Sequence, residues 1–116
     1  MSDFENLTCE PCQSGSPAVR ADERAAFLSE HPDWEIVEID GEPQLRKLFT
    51  FSDFAEALAF TDRVGALAES VGHHPALLTE WGKVTVRWWT HKIGNIHRND
   101  LMMAARTDRL AAADAS

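Results

Sequence analysis

The chain has 116 residues, enough for one domain with a single core, and 44% of them are hydrophobic, including four Trp and six Phe. Eleven basic against nineteen acidic residues give a formal net charge of −8, and this acidic balance without a basic cluster excludes direct nucleic-acid binding as an expected role. No apolar stretch approaches the roughly 20 residues of a membrane helix, so no membrane association is expected. The start, Met1-Ser2-Asp3-Phe4-Glu5-Asn6, lacks the basic and apolar run of a secretory signal, so a cytoplasmic location is expected. A domain this small is marginally stable alone, which makes oligomer formation a fair expectation.

In chain order, residues 1–20 read as a flexible N-terminal tail and residues 21–116 as the folded domain. The tail mixes turn formers with no apolar period, and it carries both cysteines, Cys9 and Cys12. Their spacing is that of half a zinc site or a redox pair, but the chain supplies no second pair and no strand–helix context. A short helix is expected from Asp22 to about Glu30, with Pro32 soon after it. Trp34–Ile39 reads as a strand closed by the hairpin signal Asp40-Gly41, and Pro43–Phe51 as its return. Ser52 is placed to cap a long helix whose apolar face comprises Phe54, Ala57, Leu58, Thr61, Val64, Leu67, Ala68 and Val71. Gly72 suits a left-handed stop. After His73-His74-Pro75 a second hairpin pairs Ala76–Trp81 with Lys83–Thr90 across Gly82. Val84, Val86 and Trp88 fall on one face of its second strand, and Thr85, Arg87, Trp89 and His91 on the other. A last helix runs from about Arg98 to Ala112, with Leu101, Met102, Ala104 and Ala105 inward.

The order α-β-β-α-β-β-α points to an α+β fold: a four-stranded antiparallel sheet with three helices packed on one face. The chemical signal within it is histidine. Five occur, and His73 and His74 follow the long helix between Gly72 and Pro75, while His91 ends a strand. Imidazoles at element ends are held by the scaffold yet reachable, and near neutrality one can give a proton while another takes one. His31 and His97 read as surface or structural residues.

Glu69-Ser70-Val71-Gly72-His73-His74-Pro75, followed by Trp81, His91 and Asp100, resembles the signature of pterin-4α-carbinolamine dehydratases. The element order agrees with that family from about Asp22 onward. Leu78–Val86 and Met103–Asp108 are similar to the bacterial branch associated with phenylalanine hydroxylase. The resemblance implies a hydro-lyase, a 4a-hydroxytetrahydrobiopterin dehydratase needing neither metal nor cofactor. It would convert pterin-4a-carbinolamine to quinonoid dihydropterin and recycle the pterin used by phenylalanine hydroxylase. It further implies His73 and His91 as acid and base, in an order the sequence leaves open, with His74 as a third catalytic residue that holds the pterin and supports protonation. Glu69 would orient an imidazole, and backbone groups around Pro75, Ala76, Leu77 and Leu78 would read the pterin ring. Asp100 and Trp81 are expected as structural support, Asp100 at the helix N-terminus.

By the same resemblance, two subunits would join sheets edge to edge and the dimers would pair through helices into a tetramer. Departures from the family pattern are Leu77 in place of a frequent aromatic, Lys92 where an acidic residue is frequent, and His97 at the usual Ser or Thr cap. The alternative reading is a non-enzymatic dimerisation partner or coactivator acting through the Leu101-Met102 end of the last helix. A metal module built on His73, His74, His91 and His97 ranks last.

Overall fold

The chain was described from a computed structural model, which covers Phe4 and residues 18–115. Cys9 and Cys12, and most of the expected tail, lie outside the described residues. Packing already begins at Val19, which is buried and whose amide donates to the Ile96 carbonyl at 2.8 Å.

The elements run α1 (Ala21–Glu30), β1 (Glu35–Ile39), β2 (Glu42–Thr50), α2 (Phe54–Val71), β3 (Ala76–Glu80), β4 (Lys83–Trp88) and α3 (Arg98–Ala115). All strand pairs are antiparallel and the spatial order is β1-β2-β4-β3, an α+β fold as expected. The β1–β2 hairpin turns at Asp40 and Gly41, both with positive φ, as a tight hairpin twisted with its strands requires. Alternation sends Leu45, Phe49, Val84, Val86 and Trp88 into the core, where α2 and α3 cover them.

Helix α2 begins one residue later than the sequence suggests. Asp53 is the cap, its carboxylate accepting from the Glu56 amide at 2.8 Å, while Ser52 hydrogen-bonds the Glu56 carboxylate. The buried face is Ala57, Phe60, Val64 and Ala68, with Phe54 and Leu58 exposed, against the expectation that both point inward. The cause is an aromatic cluster: Phe60 sits 5.0 Å from both Phe49 and Phe51, and that anchor rotates the helix away from Phe54 and Leu58. Gly72 terminates α2 in the left-handed conformation at φ 67°, its amide reaching the carbonyls of Ala68 and Glu69.

Strand β4 ends at Trp88, two residues short of the expected Thr90. Thr90 instead pairs with Asn95 in an isolated bridge that closes a turn over residues 91–94, so His91 stands in that turn and not on the strand. In α3, Leu101, Met102, Ala104 and Ala105 are all buried, as expected. No helix of the described residues is long and apolar enough to cross a membrane.

Candidate active site

His73 follows Gly72, and the left-handed glycine turns the chain so that the imidazole meets the first turn of α3. Its Nε2 lies 2.6 Å from Asp100 Oδ1, and Asp100 is fully buried. A carboxylate oxygen accepts, so the hydrogen bond runs from His73 Nε2–H to Asp100 Oδ1. This leaves Nδ1 with no hydrogen-bond partner among the described residues. The ring lies nearly parallel to Trp88, 10° between planes and 5.8 Å between centroids. Trp88 is held in turn by its Nε1, which donates to Thr107 Oγ1 at 3.1 Å. A buried aromatic floor and a buried carboxylate thus fix one imidazole in position and tautomer.

Asp100 does more than support a helix end. Its Oδ2 accepts from the His97 amide at 2.8 Å and from Thr90 Oγ1 at 2.8 Å, while Oδ1 is given to His73. His97 completes the other half of the arrangement, its Nδ1 accepting from the Asn99 amide at 3.0 Å. Together they form a reciprocal helix cap in which an imidazole takes the place of the usual hydroxyl. The His97 departure from the family pattern therefore costs α3 no cap, because the Asn99 backbone amide donates to His97 Nδ1.

Glu69 does not orient His73. Its carboxylate lies 3.0 Å from His74 Nε2, and both side chains are exposed, so solvent screens this pair. His91 is exposed in the 91–94 turn and packs 4.4 Å from Trp89, whose ring also lies under the Arg87 guanidinium at 5.4 Å. The Arg87, Trp89 and His91 side chains therefore lie together, although β4 ends at Trp88 and both Trp89 and His91 stand beyond the strand, and Gln44 holds Arg87 at 2.8 Å. Among the described residues no hydrogen bond links His91 to His73 or His74; one imidazole leans on Trp88, the other on Trp89. Pro75, Ala76 and Leu77 are half-buried at the start of β3, Leu78 is exposed, and Trp81 stands out of the β3–β4 turn.

A second His–Asp pair escaped sequence reasoning. Asp108 accepts from His31 Nδ1 at 2.6 Å, Trp34 Nε1 at 3.0 Å and Lys47 Nζ at 2.7 Å, tying α1 and the sheet to α3. These residues lie too far apart in sequence for any local pattern to connect them. A groove of about 680 Å³, lined by Lys47, Phe49, Phe51, Glu56, Ala59 and Arg63 among others, contains none of the histidines. It sits toward the start of α2, whereas His73 and His74 follow its end, so this groove is separate from the histidines. Among the described residues no three metal-ligating side chains converge; the four histidines of the metal reading each have a different neighbour.

Comparison with known proteins identifies the family. The family model described as pterin 4 alpha carbinolamine dehydratase matches residues 17–110. A relative from Syntrophotalea carbinolica that carries the pterin-4-alpha-carbinolamine dehydratase name is 57% identical over 95% of this chain and 98% of its own. A relative of the same name from Marinobacter nauticus is 52% identical over 95% and 99%. Among solved structures, a transcriptional coactivator/pterin dehydratase from Brucella melitensis superposes with a TM-score of 0.72 at 25% identity, over 82% of this chain and 99% of that one. A pterin dehydratase-like protein identified as a RuBisCO assembly factor in the alpha-carboxysome gives a TM-score of 0.58 at 29% identity, over 68% and 89%. The chain belongs to the pterin-4-alpha-carbinolamine dehydratase family, a family of hydro-lyases.

Proposed function

We propose that the protein dehydrates a 4a-hydroxytetrahydropterin to the quinonoid dihydropterin, using histidine side chains and no nucleophile. The observation that carries this reading is the buried Asp100 carboxylate 2.6 Å from His73 Nε2, in a chain of this family. In the reaction the bond between carbon 4a and the hydroxyl oxygen breaks, and a proton delivered to that oxygen lets it depart as water. The N5 proton is removed and the N5–C4a double bond forms, so one acid and one base balance the step. His73, with Nε2–H tied to Asp100, presents Nδ1 as the proton acceptor. The carboxylate behind it stabilises the imidazolium that forms. His91, exposed in its turn, is the donor to the leaving hydroxyl. His74 holds the pterin beside Glu69, and the backbone of Pro75, Ala76, Leu77 and Leu78 reads the ring edge. Recycling the pterin of phenylalanine hydroxylase is the metabolic setting this chemistry suits.

The proposed assembly is a homodimer or homotetramer. Edge strand β3 carries Leu78 at 57% exposure and leads into Trp81 at 71%, and α2 presents Phe54 and Leu58 at 44% and 45%. The non-enzymatic alternative loses its original surface, because Leu101 and Met102 are fully buried. It is carried instead by the exposed Phe54 and Leu58, and it predicts a partner complex that survives removal of His73.

The test is the dehydration rate of freshly generated 4a-hydroxytetrahydropterin with and without protein, in the presence of a chelator. Acceleration that persists with chelator supports the reading. Folded protein that gives no acceleration removes the catalytic reading and leaves the binding role.

A further inference from the structure

Thr90 belongs to no part of the signature, and its simplest explanation is a buried strand residue whose hydroxyl needs a partner. Its surroundings say more. The side chain is 2% exposed, and Oγ1 donates to Asp100 Oδ2 at 2.8 Å. The same oxygen accepts from the His97 amide at 2.8 Å, so two donors from different segments occupy Oδ2. With Oδ2 held, the carboxylate cannot rotate and Oδ1 is committed to His73. The Thr90 backbone also forms the neck of the next turn. Its amide donates to the Asn95 carbonyl at 2.9 Å, its carbonyl accepts from Ile93 at 3.3 Å, and the first residue beyond that neck is His91. One residue therefore fixes the partner of His73 through its side chain and the base of the His91 turn through its backbone.

We propose that Thr90 is a positioning residue for the dehydration, holding the Asp100 carboxylate in the orientation that keeps His73 in its Nε2–H tautomer. The inference rests on the reading of His73 and His91 as the working pair. At 2% exposure Thr90 is out of a substrate's reach, so its loss is expected to act on turnover and not on binding. An isosteric Thr90→Val variant keeps the bridge to Asn95 and removes only the donor.

The experiment compares wild type, Thr90→Val and Thr90→Ser by steady-state kinetics and by the ring nitrogen-15 shifts of His73. Thr90→Val is expected to lower kcat by roughly tenfold or more, since small misplacements of a reacting group are costly in rate. Its KM should stay within about twofold, as for a loss felt only in the transition state. The His73 shifts should move from the Nε2–H pattern toward a mixture of tautomers. Thr90→Ser, which keeps the hydroxyl, should restore both rate and shifts. Folded Thr90→Val with wild-type kcat and unchanged His73 shifts overturns the proposal, and so does a loss of rate with the His73 tautomer intact. Should Thr90→Val not fold, Thr90→Cys weakens the same hydrogen bond and is judged by the same two readouts. A His73→Ala control as active as wild type removes the reading of the working pair instead. The tautomer shift in Thr90→Val still decides whether Thr90 positions Asp100.

Discussion

Asp100 shows how much one buried side chain can settle. Its two oxygens accept from His73, Thr90 and the His97 amide, from the turns after α2 and β4 and the start of α3. Such a group is stable only while every partner is present, because a buried donor left unpaired keeps its full desolvation cost. Asp100→Ala should therefore destabilise the fold by about 3–5 kcal/mol, read as a lower midpoint in urea unfolding. Asp100→Asn separates stability from chemistry. Its amide oxygen can still serve Thr90 and His97, but the amide nitrogen then faces His73 and forces Nε2 to accept. The expected result is a folded protein with His73 in the Nδ1–H tautomer and dehydration slowed on the order of a hundredfold or more. A folded Asp100→Asn variant with unaltered rate would show that the tautomer is immaterial. Spacing and the family signature single out His73, His91 and Asp100 in the sequence as candidates. The pairing of Glu69 with His74, and of His73 with Asp100, was not. One helical turn placed Glu69 near both histidines, and only the left-handed Gly72 decides which of them swings toward α3.

At the level of elements, the strands were read well because alternation is strict, and the helices less well because a face is a wide target. Phe54, Ala57, Leu58, Thr61 and Val64 have the right spacing for one face, yet Phe60 is the residue that anchors it. Its position depends on Phe49 and Phe51 across the sheet, which no local period contains. The consequence is measurable. Phe60→Ala should cost about 3–5 kcal/mol by cavity formation, whereas Leu58→Ala, on the exposed side, should leave the stability of the isolated chain within about 0.5 kcal/mol. Equal losses in denaturant unfolding would mean that Leu58 is also buried, as in an obligate assembly. The shortened β4 has a similar lesson. Trp89 and Thr90 have strand-like character, but the pull of Asp100 on Thr90 and the bridge to Asn95 end the strand and lift His91 into a turn. The His97 cap was missed because imidazole is rarely a cap, and its fitness follows from Asp100 three residues on, which returns the bond to the His97 amide.

Over the whole molecule, helices on one face of a four-stranded sheet leave two edge strands, β1 and β3, and put the ends of α2, β4 and α3 beside one another. That convergence brings His73, Trp88, Thr90 and Asp100 into contact from distant parts of the sequence. The α+β order itself was legible, since hairpin signals and helical spacing locate each element. The second anchoring carboxylate, Asp108, was not, because its partners His31, Trp34 and Lys47 meet only once the sheet and α1 have closed on α3. The exposed Phe54, Leu58, Leu78 and Trp81 are apolar surface that assembly would cover. The measurement that tests the central claim most directly is kcat for pterin-carbinolamine dehydration by wild type, His73→Ala and His91→Ala, each matched for folding by circular dichroism. The account predicts strong acceleration by wild type and a fall of about a hundredfold or more in each variant, as expected when a general acid or base is removed. Full activity in folded His73→Ala would contradict it, since the imidazole held by Asp100 would then have no part in the reaction.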